Sequence, residues 1–158
     1  MVQKGKEAKD KVIVEFSNMT LQQLNWKPKP DSWSIGQCLD HLIISDSSYF
    51  PTLKKIAEGK YTMTTWERRS PFSGICGRIL VDRLQEQVKK KMKAPKVILP
   101  SASKMDIGIL ERFHKHHDTF LDYIALCDKI NPDRINITSP TIKFVTYSLR
   151  DAIKPDSA

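Results

Sequence analysis

An all-α helical bundle is the fold class that this sequence predicts, and three observations predict it. Apolar residues recur at helical intervals in three long stretches, residues suited to capping stand where those stretches begin, and prolines break the chain between them. With 158 residues, 40% of them hydrophobic, the chain suits a single domain over residues 1–158 with a sizeable core.

The first helix is expected over about Lys6 to Leu24, where Val12, Ile13, Phe16, Met19 and Leu24 keep the helical interval. Asn25 to Ser32 follows as a short extended connection, because Pro28 and Pro30 each disfavour helix in the residue before them. The second helix should begin near Ile35, with Ser34 as N-cap and Gln37 completing a capping box. Lys54, Lys55 and Gly59 fit its end. Ile35, Leu39, Leu42, Tyr49 and Leu53 fall on one face, with Cys38, Phe50 and Ile56 beside it, and Pro51 should kink the axis.

A second line on this helix is small, polar and uncharged: Ser34, His41, Ser45, Ser48 and Thr52, with Gln37 at its edge and Asp40 farther round. Such residues beside a core leave room and hydrogen-bonding capacity, so His41 is a candidate to present an imidazole nitrogen to a metal or ligand from a rigid helix. The plainer reading is a boundary histidine bonded to a neighbour.

From Lys60 to Gly77 the periodicity fades into an irregular crossover, a helical pattern returns over Arg78 to Lys91, and Pro95 and Pro100 bracket another extended piece. The third long helix is expected from Ser103, as cap, to Cys127, with Asp106 in its first turn. Leu110, Phe113, His117, Leu121 and Ile124 share its apolar face, His114 lies near that face and His116 points well away. His114 and His117, three apart, could chelate one metal together with His41, giving three nitrogens of the kind zinc accepts; the ordinary alternative is a buried neutral His117 and a partly exposed His114. After Asn131-Pro132 comes a segment rich in β-branched residues, and then Ser148 can cap a helix of about two turns before Pro155.

Charge and composition narrow the partners. The net charge of +8 is densest at Lys89, Lys90, Lys91, Lys93 and Lys96, with Arg68, Arg69 and Trp66 as a possible extension, but no nucleic-acid-binding signature accompanies it. A solvated lysine face accounts for it, and no nucleic-acid partner is expected. Cys38, Cys76 and Cys127 suggest neither a disulfide framework nor a zinc knuckle, and Cys38 and Cys127 read as small core residues. No apolar run approaches the roughly 20 residues that cross a bilayer, and the start MVQKGKEAKDK does not read as a signal peptide, so a cytoplasmic protein without membrane association is expected.

Trp26, Pro28, Pro30 and the run Trp33-Ser34-Ile35-Gly36-Gln37-Cys38-Leu39-Asp40-His41-Leu42 resemble the start of the second helix of the DinB-like superfamily. The similarity continues through Lys93-Ala94-Pro95, Pro100-Ser101, Ser139-Pro140 and Tyr147-Ser148-Leu149-Arg150-Asp151-Ala152. The resemblance implies a four-helix bundle in up-down-down-up order with a long crossover between its second and third helices. Members often hold zinc, nickel or a similar divalent ion with one histidine on the second helix and two on the fourth, and His41 matches the first. Where the family continues into a helix with a His-x-x-x-His-type pair, this sequence reads Lys154-Pro155-Asp156-Ser157-Ala158. Only one family ligand is therefore matched, and weak or substoichiometric metal binding is expected.

Two functions follow. The first is a relative of divalent-metal-dependent thiol S-transferases, isomerases and hydrolases, acting on a small-molecule thiol. The alternative is a non-catalytic bundle or interaction module that has lost the metal site. The shortened fourth helix further leads us to expect an open apolar seam that a second copy covers, making a homodimer.

Overall fold

The computed structural model describes residues 2–70 and 94–153. Their helices are α1 (Val2–Phe16), α2 (Leu21–Asn25), α3 (Ile35–Ala57), α4 (Thr65–Arg69), α5 (Ile109–Asp128) and α6 (Leu149–Ile153). A two-stranded antiparallel hairpin, β1 (Asn136–Thr138) and β2 (Thr146–Ser148), is the one addition to an all-α architecture among these residues. The expected helix over Arg78 to Lys91, Cys76 and the lysines of 89–93 lie outside the described residues. Contacts gather into two compact units, one of residues 2–48 and 94–122, the other of residues 49–70 and 123–153 within the described chain.

In the first unit, the single helix expected over Lys6 to Leu24 is two. Thr20 interrupts it by forming a capping box: its hydroxyl accepts from the Gln23 amide at 3.3 Å and the Gln23 side chain accepts from the Thr20 amide at 2.8 Å. Two donors that would be orphaned at a new helix start are thus satisfied, and α2 begins there. At α3 the expected box is present, with Ser34 and Gln37 exchanging bonds of 3.2 Å. Its end is a Schellman motif: Gly59 takes a φ of 67°, its amide donates to Ile56, and the Lys60 amide reaches back to Lys55.

Leu24, Leu39, Met105, Ile109 and Phe113 form the core of this unit, flanked by Val12, Ile35, Ile43 and Leu110. Leu42, expected on the buried face, is 42% exposed, and Cys38, expected in the core, is exposed as well. Ile43 packs against the core in place of Leu42, so the buried stripe is turned by one position. Helix α5 starts at Ile109 and not after Ser103, because Met105 is buried and its peptide is clamped by the Asn25 side chain, which accepts from the Met105 amide and donates to its carbonyl, each at 2.7 Å. Asp106 rather than Ser103 serves the helix start, accepting from Gly108 at 2.8 Å and pairing with both terminal nitrogens of Arg112.

Gly36 lets α3 come close to this clamped segment. A Cβ there would lie 2.9 Å from the Met105 Cβ, an atom fixed by its own backbone and unable to swing aside. Gly36→Ala is therefore expected to lower the unfolding free energy by about 1–3 kcal/mol despite alanine's better helix propensity, measured by urea titration. An unchanged or raised stability would show that this approach is looser.

In the second unit, Leu53, Ile56, Ile124, Cys127, Ile137, Tyr147, Leu149 and Ile153 are buried. Cys127 is thus the small core residue expected, and burial pushes its thiol up to about 11. The hairpin pairs Ile137 with Tyr147, and the Tyr147 hydroxyl meets that of Tyr49 at 2.6 Å. Ser148 caps α6 as expected, its hydroxyl accepting from the Asp151 amide at 3.1 Å. The stretch read as an irregular crossover contains α4, capped by a Thr64 and Glu67 box.

Candidate functional site around His41

Three polar side chains on the first turns of α3, those of Gln37, Asp40 and His41, grip one returning segment. The Gln37 side-chain amide donates to the Ala102 carbonyl at 3.0 Å, the Asp40 carboxylate accepts from the Ser101 amide at 2.6 Å, and His41 Nδ1 meets the Ile98 carbonyl at 2.5 Å. A carbonyl oxygen can only accept, so His41 Nδ1 carries the proton and its Nε2 holds the lone pair in the neutral ring. Trp33, just before the helix, packs against the same ring at a centroid distance of 4.9 Å. His41 is half-buried.

These contacts revise the reading of the polar flank. Asp40, placed farther round by helical spacing, is only 9% exposed and works beside His41. Ser34 is consumed in the cap, and the Ser48 hydroxyl donates to the Ser45 carbonyl of its own helix at 2.5 Å. The flank is in large part a set of backbone latches.

The other three histidines all lie on α5. His114, the most exposed of them, has Nδ1 3.4 Å from Asp118, whose other oxygen binds Lys9. His117 stacks on Phe113 with centroids 5.4 Å apart and places Nδ1 3.9 Å from the Asp46 carboxylate. Both nitrogens of His117 are buried. His116, expected to point well away, is turned inward, with Nε2 4.0 Å from the same carboxylate. The buried face of α5 is centred on Ile109, Phe113, Ile124 and Cys127, and His116 sits at its edge.

Burial dominates the electrostatics of this cluster. It pushes Asp46 up to about 7 and holds both imidazoles below the usual histidine range, that of His116 helped by the neighbouring His117. Sequence reasoning missed Asp46 and His116. The trio of His41, His114 and His117 is not brought together as a metal-binding group, and among the described residues no group of three or more His, Cys, Asp or Glu side chains is placed to hold an ion.

The DinB superfamily model matches residues 6–129, a span that contains the capped α3, the latch around His41 and α5. The chain belongs to the DinB superfamily. No curated protein and no solved structure matches it. The described residues of the matched region carry helices α1 to α5, and no helix among the described residues is long and apolar enough to cross a membrane.

Proposed function

We propose that this DinB-superfamily chain is related in activity to the divalent-metal-dependent thiol S-transferases, isomerases and hydrolases of its family, with His41 as the imidazole directed to a zinc or nickel ion. The observation that carries this reading is the bond from His41 Nδ1 to the Ile98 carbonyl. Metal-binding histidines commonly donate their second ring nitrogen to a backbone carbonyl or carboxylate, which fixes the tautomer and turns the other lone pair outward. The described residues fit one ligand of such a centre and not a complete set. The ion would supply Lewis-acid chemistry toward a bound water or thiol; the part of this chain is to orient Nε2. We place the protein in the cytoplasm and read its substrate as a small-molecule thiol, with a homodimer as the expected assembly.

One observation favours the alternative of a non-catalytic bundle: Gln37, Asp40 and His41 all hold the same backbone segment, which is sufficient reason for their side chains. Two substitutions separate the readings. His41→Asn keeps a donor where Nδ1 stands and removes Nε2, whereas His41→Ala removes both. In untagged protein dialysed against zinc or nickel, wild-type uptake is expected to be weak, and both variants should lower the affinity by about tenfold or more. Asn should leave stability within about 1 kcal/mol of wild type. Equal metal uptake in all three proteins would leave the latch as the role of His41.

A further inference from the structure

We propose that a cleft between α1 and α5 binds a small, uncharged, largely apolar molecule carrying one hydroxyl group, which donates its proton to His114 Nε2. The cleft has a volume of about 680 Å³, within the range of small-molecule sites. Ile13, Ile107 and Leu110 give it an apolar wall, and Ile107 is half exposed to solvent there. His114 and Asp118 form its polar end.

That end is ordered by a chain of charges. Lys9 binds one oxygen of Asp118 at 2.5 Å, and the other oxygen lies 3.4 Å from His114 Nδ1. The Lys9 side chain is only 11% exposed, an unusual position for a lysine, and the ammonium keeps Asp118 below the ordinary carboxylate range and hence ionised. A fixed carboxylate beside Nδ1 favours the proton on that nitrogen, leaving Nε2 as the acceptor. Asp118 and Lys9 are positioning residues, and His114 is the residue that touches the ligand.

Charge selects the class of ligand. Lys9 and Asp118 neutralise each other, and the rim pair Glu111 and Lys115 does the same at 3.0 Å. An ionic ligand would meet no unbalanced charge there, whereas an uncharged molecule with an apolar body and one O–H group suits a site whose charges are already paired. This site involves none of the residues around His41 and stands independently of the metal reading.

The test uses 1-naphthol as probe, with 1-methoxynaphthalene as the analogue whose oxygen cannot donate and 1-naphthoate as the charged one. In titrations of the full chain followed by amide chemical shifts, naphthol should bind about tenfold more tightly than the methyl ether, with shifts at Ile13, Leu110 and His114. His114→Ala should erase that difference, and Asp118→Asn, which keeps the shape, should weaken naphthol without weakening the ether. Equal affinity for naphthol and ether, a naphthol preference that survives His114→Ala, tighter binding of naphthoate, or no binding of naphthol up to its solubility would each overturn the proposal. Circular dichroism of both variants confirms that they fold, since His114 lies on an open helix face.

Discussion

Glu67→Ala should cost about 3–5 kcal/mol of unfolding free energy, a large effect for a substitution in a helix of five residues. Glu67 is 5% exposed, yet its two carboxylate oxygens receive five donors. The Tyr61 hydroxyl and the Thr138 amide and hydroxyl converge on Oε1 at 2.8–2.9 Å, and the Thr64 amide and hydroxyl bind Oε2 at 2.8 and 2.9 Å. The carboxylate therefore ties the start of α4 to Tyr61 and to strand β1, and alanine would leave several buried donors with nothing to bind. Desolvation is the largest single influence on its pKa and pushes upward, but the bonds from Thr64, Thr138 and Tyr61 together outweigh it, so the group sits below the ordinary glutamate value. A depressed carboxylate contributes stability that is present above its unfolded pKa of about 4.3 and is lost as pH falls through the folded value. Urea titrations at pH 7 decide the point, and a loss of less than about 1 kcal/mol would mean that water replaces the carboxylate freely.

Asp46→Asn is expected to act in the opposite direction, raising stability at pH 8 by about 2–4 kcal/mol. The folded protein holds the Asp46 carboxyl at about 7 through burial, whereas the unfolded chain ionises it near the ordinary value of about 3.9. Between these values the folded state binds the extra proton, so this group's contribution falls as pH rises from about 4 to 7 and the ionised carboxylate destabilises the fold above that. Asparagine cannot ionise and escapes the penalty, and near pH 4 the two proteins should be about equal. His116 and His117, whose folded values are depressed, contribute stability that is present above the unfolded histidine value and lost as pH falls below it; the difference between wild type and Asp46→Asn isolates the carboxyl. A variant less stable than wild type at pH 8 would mean that the ionised Asp46 is stabilised there by pairing with an imidazolium of His116 or His117.

The parts of the fold that were legible in the sequence are those written in local chemistry. Ser34 and Gln37 announce the start of α3, Gly59 its end, and Ser148 the start of α6, because each signal satisfies backbone groups within a few residues of itself. Two further boxes of the same kind, Thr20 with Gln23 and Thr64 with Glu67, were as readable and would have divided the first helix and found α4. The stripe drawn through Leu42 failed for another reason: it averaged one direction over a helix of 23 residues, whereas Leu39 and Ile43 face the core where α3 begins. The same averaging on α5 turned His116 outward.

The candidate site was legible only in part. His41 follows from its position on α3, but its partner is a carbonyl 57 residues away, and the grips of Gln37 on Ala102 and of Asn25 on Met105 span 65 and 80 residues. No local pattern encodes such contacts. Family membership reaches the site through the run from Trp33 to Leu42, which lies within the matched residues 6–129. It carries the scaffold and not the substrate.

The tautomer of His41 is the most direct test, because the reading of this histidine as a metal-directed ligand rests on Nδ1 holding the proton. A long-range proton–nitrogen correlation spectrum of the labelled protein distinguishes the two ring nitrogens in the neutral imidazole. The expected result is a protonated Nδ1 and a bare Nε2, with the Nε2 resonance of His41 moving when zinc is added; the His41→Asn spectrum, which lacks that resonance, confirms its assignment. A proton on Nε2, with Nδ1 bare and indifferent to zinc, would contradict it.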